Sequence, residues 1–172
     1  GSVARIRGIR GAALGSGANV VRANDILSIL MMQNGTVMAD DSGRATFHLT
    51  PESLKKNISP GAEALRFYTD FASPTKEVYA WNSQMPNSLE SFISGQTAIF
   101  LGYSFHAPII RARAPKMNLG ISKLPQIEGN PEVNFANYWV EVVSKKSKNP
   151  NFSWDLIQYL TSATNVKKHL NL

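Results

Sequence analysis

Asn87-Ser88-Leu89-Glu90-Ser91-Phe92-Ile93-Ser94-Gly95-Gln96-Thr97-Ala98-Ile99-Phe100-Leu101-Gly102 changes its hydrophobic period halfway along. Leu89, Phe92 and Ile93 fall three and four residues apart, the spacing of one helix face. Asn87 precedes them as an N-cap, and Glu90 three residues later completes the pattern of a capping box. Gly95 then supplies the helix stop. Thr97 to Leu101 is a short, compact run closed by Gly102, which reads as a strand. A helix feeding directly into a strand is the unit of a layered α/β protein.

The same alternation extends outward. Upstream, Ile9 to Leu14 reads as a strand entering a glycine-rich loop, Gly15-Ser16-Gly17-Ala18-Asn19. A helix follows, with Asn24 as its cap, Asp25 at its positive end, Ile26, Leu27, Leu30 and Met31 on one face, and Asn34-Gly35 closing it. Met38 to Leu49 is polar and turn-like. Ser59-Pro60 opens another helix, where proline suits the first position, and Leu65, Phe67, Tyr68 and Phe71 give it an apolar stripe ahead of Pro74. Downstream, Pro108 to Arg113 reads as a helix start, and Leu119 to Leu124 and Tyr138 to Ser144 as strands. In the second, Trp139 through Val143 is nearly continuous apolar except for Glu141, which predicts that Tyr138–Ser144 is a central or near-central strand of a mostly parallel sheet. Asn149-Pro150 begins a helix carrying Phe152, Leu156, Ile157 and Leu160, and a last short helix holds Val166 and Leu170. Phe92, on the face of the Asn87 helix, is expected to cost more to truncate than any candidate-site residue, at roughly 3–5 kcal/mol for a fully buried ring.

Composition narrows the function classes. The chain has 172 residues, 43% hydrophobic and 17% charged, enough for a real core and unlike a disordered sequence. Its longest apolar run, Ile26 to Met32, is far too short to span a bilayer. No apolar export signal stands at the N-terminus, and Gly1-Ser2 resembles the remnant of a removed tag. The absence of cysteine rules out disulfides, thiolate catalysis and cysteine metal sites. The net charge is +6, from 18 basic and 12 acidic residues. Those basic residues lie in separate clusters (Arg5, Arg7 and Arg10; Arg111 and Arg113; Lys145, Lys146 and Lys148) without interleaved aromatics. That pattern describes solvated charge better than a nucleic-acid surface.

No catalytic or cofactor motif is complete. Gly15-Ser16-Gly17 lacks the Gly-Lys-Ser/Thr ending of a phosphate loop, and Val20 stands where the dinucleotide fingerprint needs its third glycine. His48, His106 and His169 show no ligand spacing, so no metal or other cofactor is expected. No Gly-x-Ser-x-Gly elbow occurs, and the carboxylates are too scattered to argue a glycosidase pair. Three polar–aromatic segments are more telling: Tyr79-Ala80-Trp81-Asn82, Gly102-Tyr103-Ser104-Phe105-His106 and Asn134-Phe135-Ala136-Asn137-Tyr138-Trp139. Aromatic faces accept the C–H faces of sugar rings, and neighbouring amides and hydroxyls accept or donate to sugar hydroxyls. Core packing with a few capping amides is the competing reading of each segment.

Ala64 to Leu170 resembles the family 1 extracellular solute-binding proteins, which include many maltodextrin-binding-like sugar receptors of ABC importers. The resemblance runs in order through Ala64-Leu65-Arg66-Phe67-Tyr68-Thr69-Asp70-Phe71, Trp81-Asn82, Phe92-Ile93-Ser94-Gly95-Gln96-Thr97-Ala98, Gly120-Ile121-Ser122-Lys123-Leu124-Pro125, and Val143 to Asn149 followed by Trp154 to Thr161. Asn19 to Gly35 is similar to the family's segment just upstream. The resemblance implies an α/β fold, one lobe of a type II periplasmic-binding-protein-like architecture with a mostly parallel sheet flanked by helices. It implies a parent more than twice this length, with residues 3–134 as a C-terminal-lobe-like domain and 135–172 as a hinge crossover strand and helices contributing to the other lobe. It further implies reversible capture of a small solute, most plainly a carbohydrate, without catalysis. The partners would be the membrane permease subunits of an ABC importer, not nucleic acid, in an extracellular or periplasmic setting. The alternatives are a carbohydrate-active enzyme fragment and a basic nucleic-acid-binding domain. Carried over by position, the ligand-binding residues would be Tyr103, Ser104 and Phe105 first, then Ser16 and Asn19, then Asn137, Tyr138 and Trp139, with Trp81 a further candidate.

Overall fold

In the computed structural model the described residues are 8–51, 57–138 and 140–170. The chain divides into two units, Gly1–Phe135 and Ala136–Leu172. In the first, β1 (Arg10–Ala12), α1 (Ala23–Gln33), α2 (Pro60–Asp70), α3 (Ser88–Ile93), β2 (Thr97–Ile99) and α4 (His106–Arg113) follow in order. Strands β1 and β2 pair in parallel, with Arg10 opposite Thr97 and Ala12 opposite Ile99. The second holds α5 (Pro150–Leu160) and α6 (Ala163–Leu170). Helices with a small parallel sheet are compatible with the α/β class.

Local chemistry explains several element ends. Ser59 caps α2, its hydroxyl accepting from the Ala62 amide at 3.2 Å, with Pro60 at the first helical position. Asn34 closes α1, and Gly35 follows at φ 88°. Asn87 caps α3 through its Oδ1, which accepts from the Leu89 and Glu90 amides. The Glu90 carboxylate does not complete the box by bonding the Asn87 amide. It takes a bidentate pair from Arg113 of α4 at 2.7 and 2.6 Å, because a guanidinium fork outcompetes a single amide for a carboxylate.

The core of the first unit gathers Ala13, Leu14, Val20, Ile26, Tyr68 and Trp81, with Leu27, Leu30, Phe71 and Leu101 packed against it. Gly15 sits in a close backbone approach beside this core. Its φ is 97°, and a Cβ there would lie 2.6 Å from the Ala72 amide nitrogen and 3.0 Å from the Tyr68 carbonyl. The glycine-rich loop is therefore a close backbone contact between the end of the β1 segment and the end of α2, which only glycine permits.

Several expectations are corrected. Asn24 does not cap α1; the helix begins at Ala23 with Arg22 at the cap, and Asn24 bonds its neighbour Asp25. Leu65 and Phe67 stand largely exposed, leaving Ala64 and Tyr68 as the buried side chains of α2's stripe. Phe92 is half-buried, and the fully buried side chains of α3 are Ser88 and Ser91. Leu119–Leu124 is irregular, and no described residue from Tyr138 to Ser144 lies in a strand. Tyr138, Val140 and Val142 are 75%, 67% and 74% exposed. A continuous apolar run specifies a strand only beside partner strands, and the described residues of its own unit include none.

Candidate functional site

The loop after β2 places Tyr103, Ser104 and Phe105 at the start of α4. The turn is held by backbone bonds from the His106 amide to the Tyr103 carbonyl (3.0 Å) and from the Ala107 amide to the Ser104 carbonyl (3.1 Å). His106 is buried beneath it. Its Nδ1 lies 3.0 Å from the Tyr103 amide nitrogen, which can only donate, and 3.2 Å from the Tyr103 carbonyl. The imidazole stacks on Phe105 at 4.1 Å between centroids and meets Phe100 edge-on at 5.2 Å. Burial lowers the His106 pKa below its ordinary value. The Tyr103 carbonyl opposes that shift in part, and the nearby Arg22 charge adds to it.

The start of α1 meets this loop from the other side. The Tyr103 hydroxyl donates to Asp25 Oδ2 at 2.8 Å. The Arg22 guanidinium lies over the Tyr103 ring, 5.4 Å from its centroid, with one nitrogen 3.7 Å from the same Asp25 oxygen. Arg22 has φ 60° and ψ 34°, the one non-glycine residue with positive φ among the described residues. Tyr103 and Phe105 lie nearly parallel, 17° apart with centroids at 6.0 Å, and Phe105 is half-exposed beside the exposed Ser104. The result is a stacked aromatic cluster with Phe105 at its surface, edged by the exposed Ser104 and by a guanidinium–carboxylate pair.

The other residues singled out from the sequence have different surroundings. Trp81 has no exposed surface, and its indole N–H donates to Asn19 Oδ1 at 3.2 Å. The Asn19 amide in turn donates to the Asn82 and Met85 carbonyls at 2.9 and 2.6 Å, and its own carbonyl accepts from the Ser88 amide. Together they latch the 81–88 segment onto the glycine-rich loop. Ser16 is buried; its carbonyl accepts from the Tyr68 hydroxyl at 2.9 Å. Asn137 and Tyr138 are exposed in the second unit, and Trp139 lies outside the described residues.

Sequence reasoning missed Arg22 and read His106 as a bland residue. A positive φ at arginine leaves no compositional trace, and the Asp25–Tyr103 bond joins residues 78 apart. A second feature, an apolar groove of about 570 Å³ in the first unit, is lined by Leu14, Ile29, Phe67, Phe71, Leu101 and the 124–127 segment among others. None of the residues singled out for ligand binding lines it. Among the described residues no three His, Asp or Glu side chains gather as a metal site would require, and no helix is long and apolar enough to cross a membrane.

No curated protein and no solved structure matches the chain. A family model described as bacterial extracellular solute-binding protein matches residues 11–172, spanning every element above except the first residue of β1. By that match the chain belongs to the bacterial extracellular solute-binding proteins.

Proposed function

We propose that the Tyr103–Ser104–Phe105 surface is one wall of a solute-binding cleft and that the solute is a carbohydrate, captured reversibly and without chemistry for an ABC-type importer. The observation that carries this reading is the half-exposed Phe105 ring, stacked near-parallel to the less exposed Tyr103 ring, with the exposed Ser104 beside it. A sugar ring needs such a flat apolar face together with directional polar groups. The apolar groove serves hydroxylated solutes less well, since burying a hydroxyl there without a partner is unfavourable. Permease subunits are the partner that delivery implies, and an extracellular or periplasmic location follows from the same reading. Asn137, Tyr138 and Trp139 remain proposed as further ligand contacts, on the family resemblance. Residues 3–134 and 135–172 remain proposed as portions of two different lobes on the same ground.

The test is calorimetric titration of the chain with a panel of mono- and oligosaccharides, in the wild type and in Phe105→Ala. Saturable heat that Phe105→Ala abolishes, with the melting temperature nearly unchanged, supports the reading. Binding indifferent to Phe105 would place the solute elsewhere.

A further inference from the structure

Arg22 carries an observation that the packing of the fold does not explain. Its backbone holds a left-handed conformation that side-chain-bearing residues adopt at a cost, and such positions gather at ligand clamps. Glycine would take this turn freely. What arginine adds is a guanidinium laid over the Tyr103 ring, at the edge of the aromatic surface, with its side chain 43% exposed. Its sole ion pair among the described residues is a long one, 3.7 Å from a single oxygen of Asp25, and that oxygen already accepts the Tyr103 hydroxyl at 2.8 Å. The planar fork thus lies over the ring with only this one long ion pair among the described residues.

We propose that Arg22 sets the specificity of this surface, selecting solutes that carry a single carboxylate on a ring, that is, sugar acids over neutral sugars. This rests on the solute-binding reading of Tyr103–Phe105 and names the ligand class. The chemistry matches on both counts. A guanidinium binds a carboxylate through two parallel charge-assisted bonds. The half-exposed ring of Phe105, stacked beside Tyr103, takes the apolar face of the sugar.

The experiment titrates the chain with glucuronate and galacturonate against glucose and galactose, following the aromatic NMR signals of Tyr103 and Phe105. The acids are expected to move both signals at concentrations lower by about tenfold or more, as loss of a charge-assisted contact would imply. Arg22→Gly and Arg22→Gln should each erase that preference. Arg22→Gly should leave the melting temperature unchanged or raise it, because glycine accepts the backbone conformation. Equal response to acids and neutral sugars in the wild type would overturn the role of Arg22 while leaving the binding surface intact. A preference that persists in both variants, with stability lost, would assign Arg22 to structure alone. No shift of Tyr103 or Phe105 with any of the four sugars would overturn this proposal and the reading beneath it together.

Discussion

Trp81 and Phe105 show how far two aromatic residues of one sequence can diverge in role. Both sit beside small polar residues, and nothing in their neighbourhoods separates them. Trp81 is fully buried with its N–H satisfied by Asn19, whereas Phe105 keeps half its surface in water. Trp81→Ala should therefore cost about 3–5 kcal/mol, and Phe105→Ala roughly 1 kcal/mol or less, measured as denaturant midpoints at constant slope. Phe92→Ala belongs between them, since that ring is only half-buried. Equal losses for Trp81 and Phe105 would contradict the burial described. His106 adds a pH dependence. Its pKa is lowered in the folded protein, so the unfolded chain takes up the proton first as pH falls. Its contribution is fully present above about pH 6.5 and is lost progressively as pH drops through the lower folded value. His106→Asn should flatten the stability profile in that window, and an unchanged slope would show that another group is responsible.

At the scale of elements, the ends written by short-range chemistry were legible in the sequence and the ends written by distant partners were not. Ser59-Pro60, Asn34-Gly35 and Gly95 act through their own backbone and neighbours, and they start or stop helices where their residue types require. The Glu90–Arg113 pair and the Arg22–Tyr103 contact depend on elements brought together only by folding. Likewise Tyr103 entered as a site candidate through the family resemblance, but its anchoring to Asp25 left no trace in the sequence. The glycine-rich loop was legible as a loop, yet its reason is packing. Gly15→Ala should destabilise by about 2–4 kcal/mol, combining a disfavoured positive φ with overlap against the Ala72 amide. Gly17→Ala, whose Cβ would meet nothing within 4 Å, is the control and should change the midpoint little. A Gly15→Ala protein as stable as the control would show that the loop can shift away from α2.

At the scale of the whole molecule, the apolar run from Tyr138 to Val143 is where pattern and structure part most clearly. Hydrophobicity reports that a segment is suited to burial, and pairing decides whether it becomes a strand. Tyr138, Val140 and Val142 of that run stand open to solvent, as do Phe152 and Tyr159 of α5, at 77% and 66%. Amides of Val140, Val142 and Val143 should exchange with deuterium orders of magnitude faster than those of Ile29 and Leu30 in α1. Comparable protection would mean that the run is paired as a strand in solution. The central claim is that this chain presents one wall of a solute site, built on Tyr103, Ser104 and Phe105. One wall leaves a ligand's polar groups hydrated, so their hydrogen bonds gain little over water, and affinity should be weak. The most direct measurement is an aromatic-resolved NMR titration of the chain with a saccharide panel. The account predicts saturable shifts of the Tyr103 and Phe105 rings with dissociation constants of about a millimolar. Rings that stay unmoved by every saccharide, or low-micromolar binding that leaves them unmoved, would contradict it.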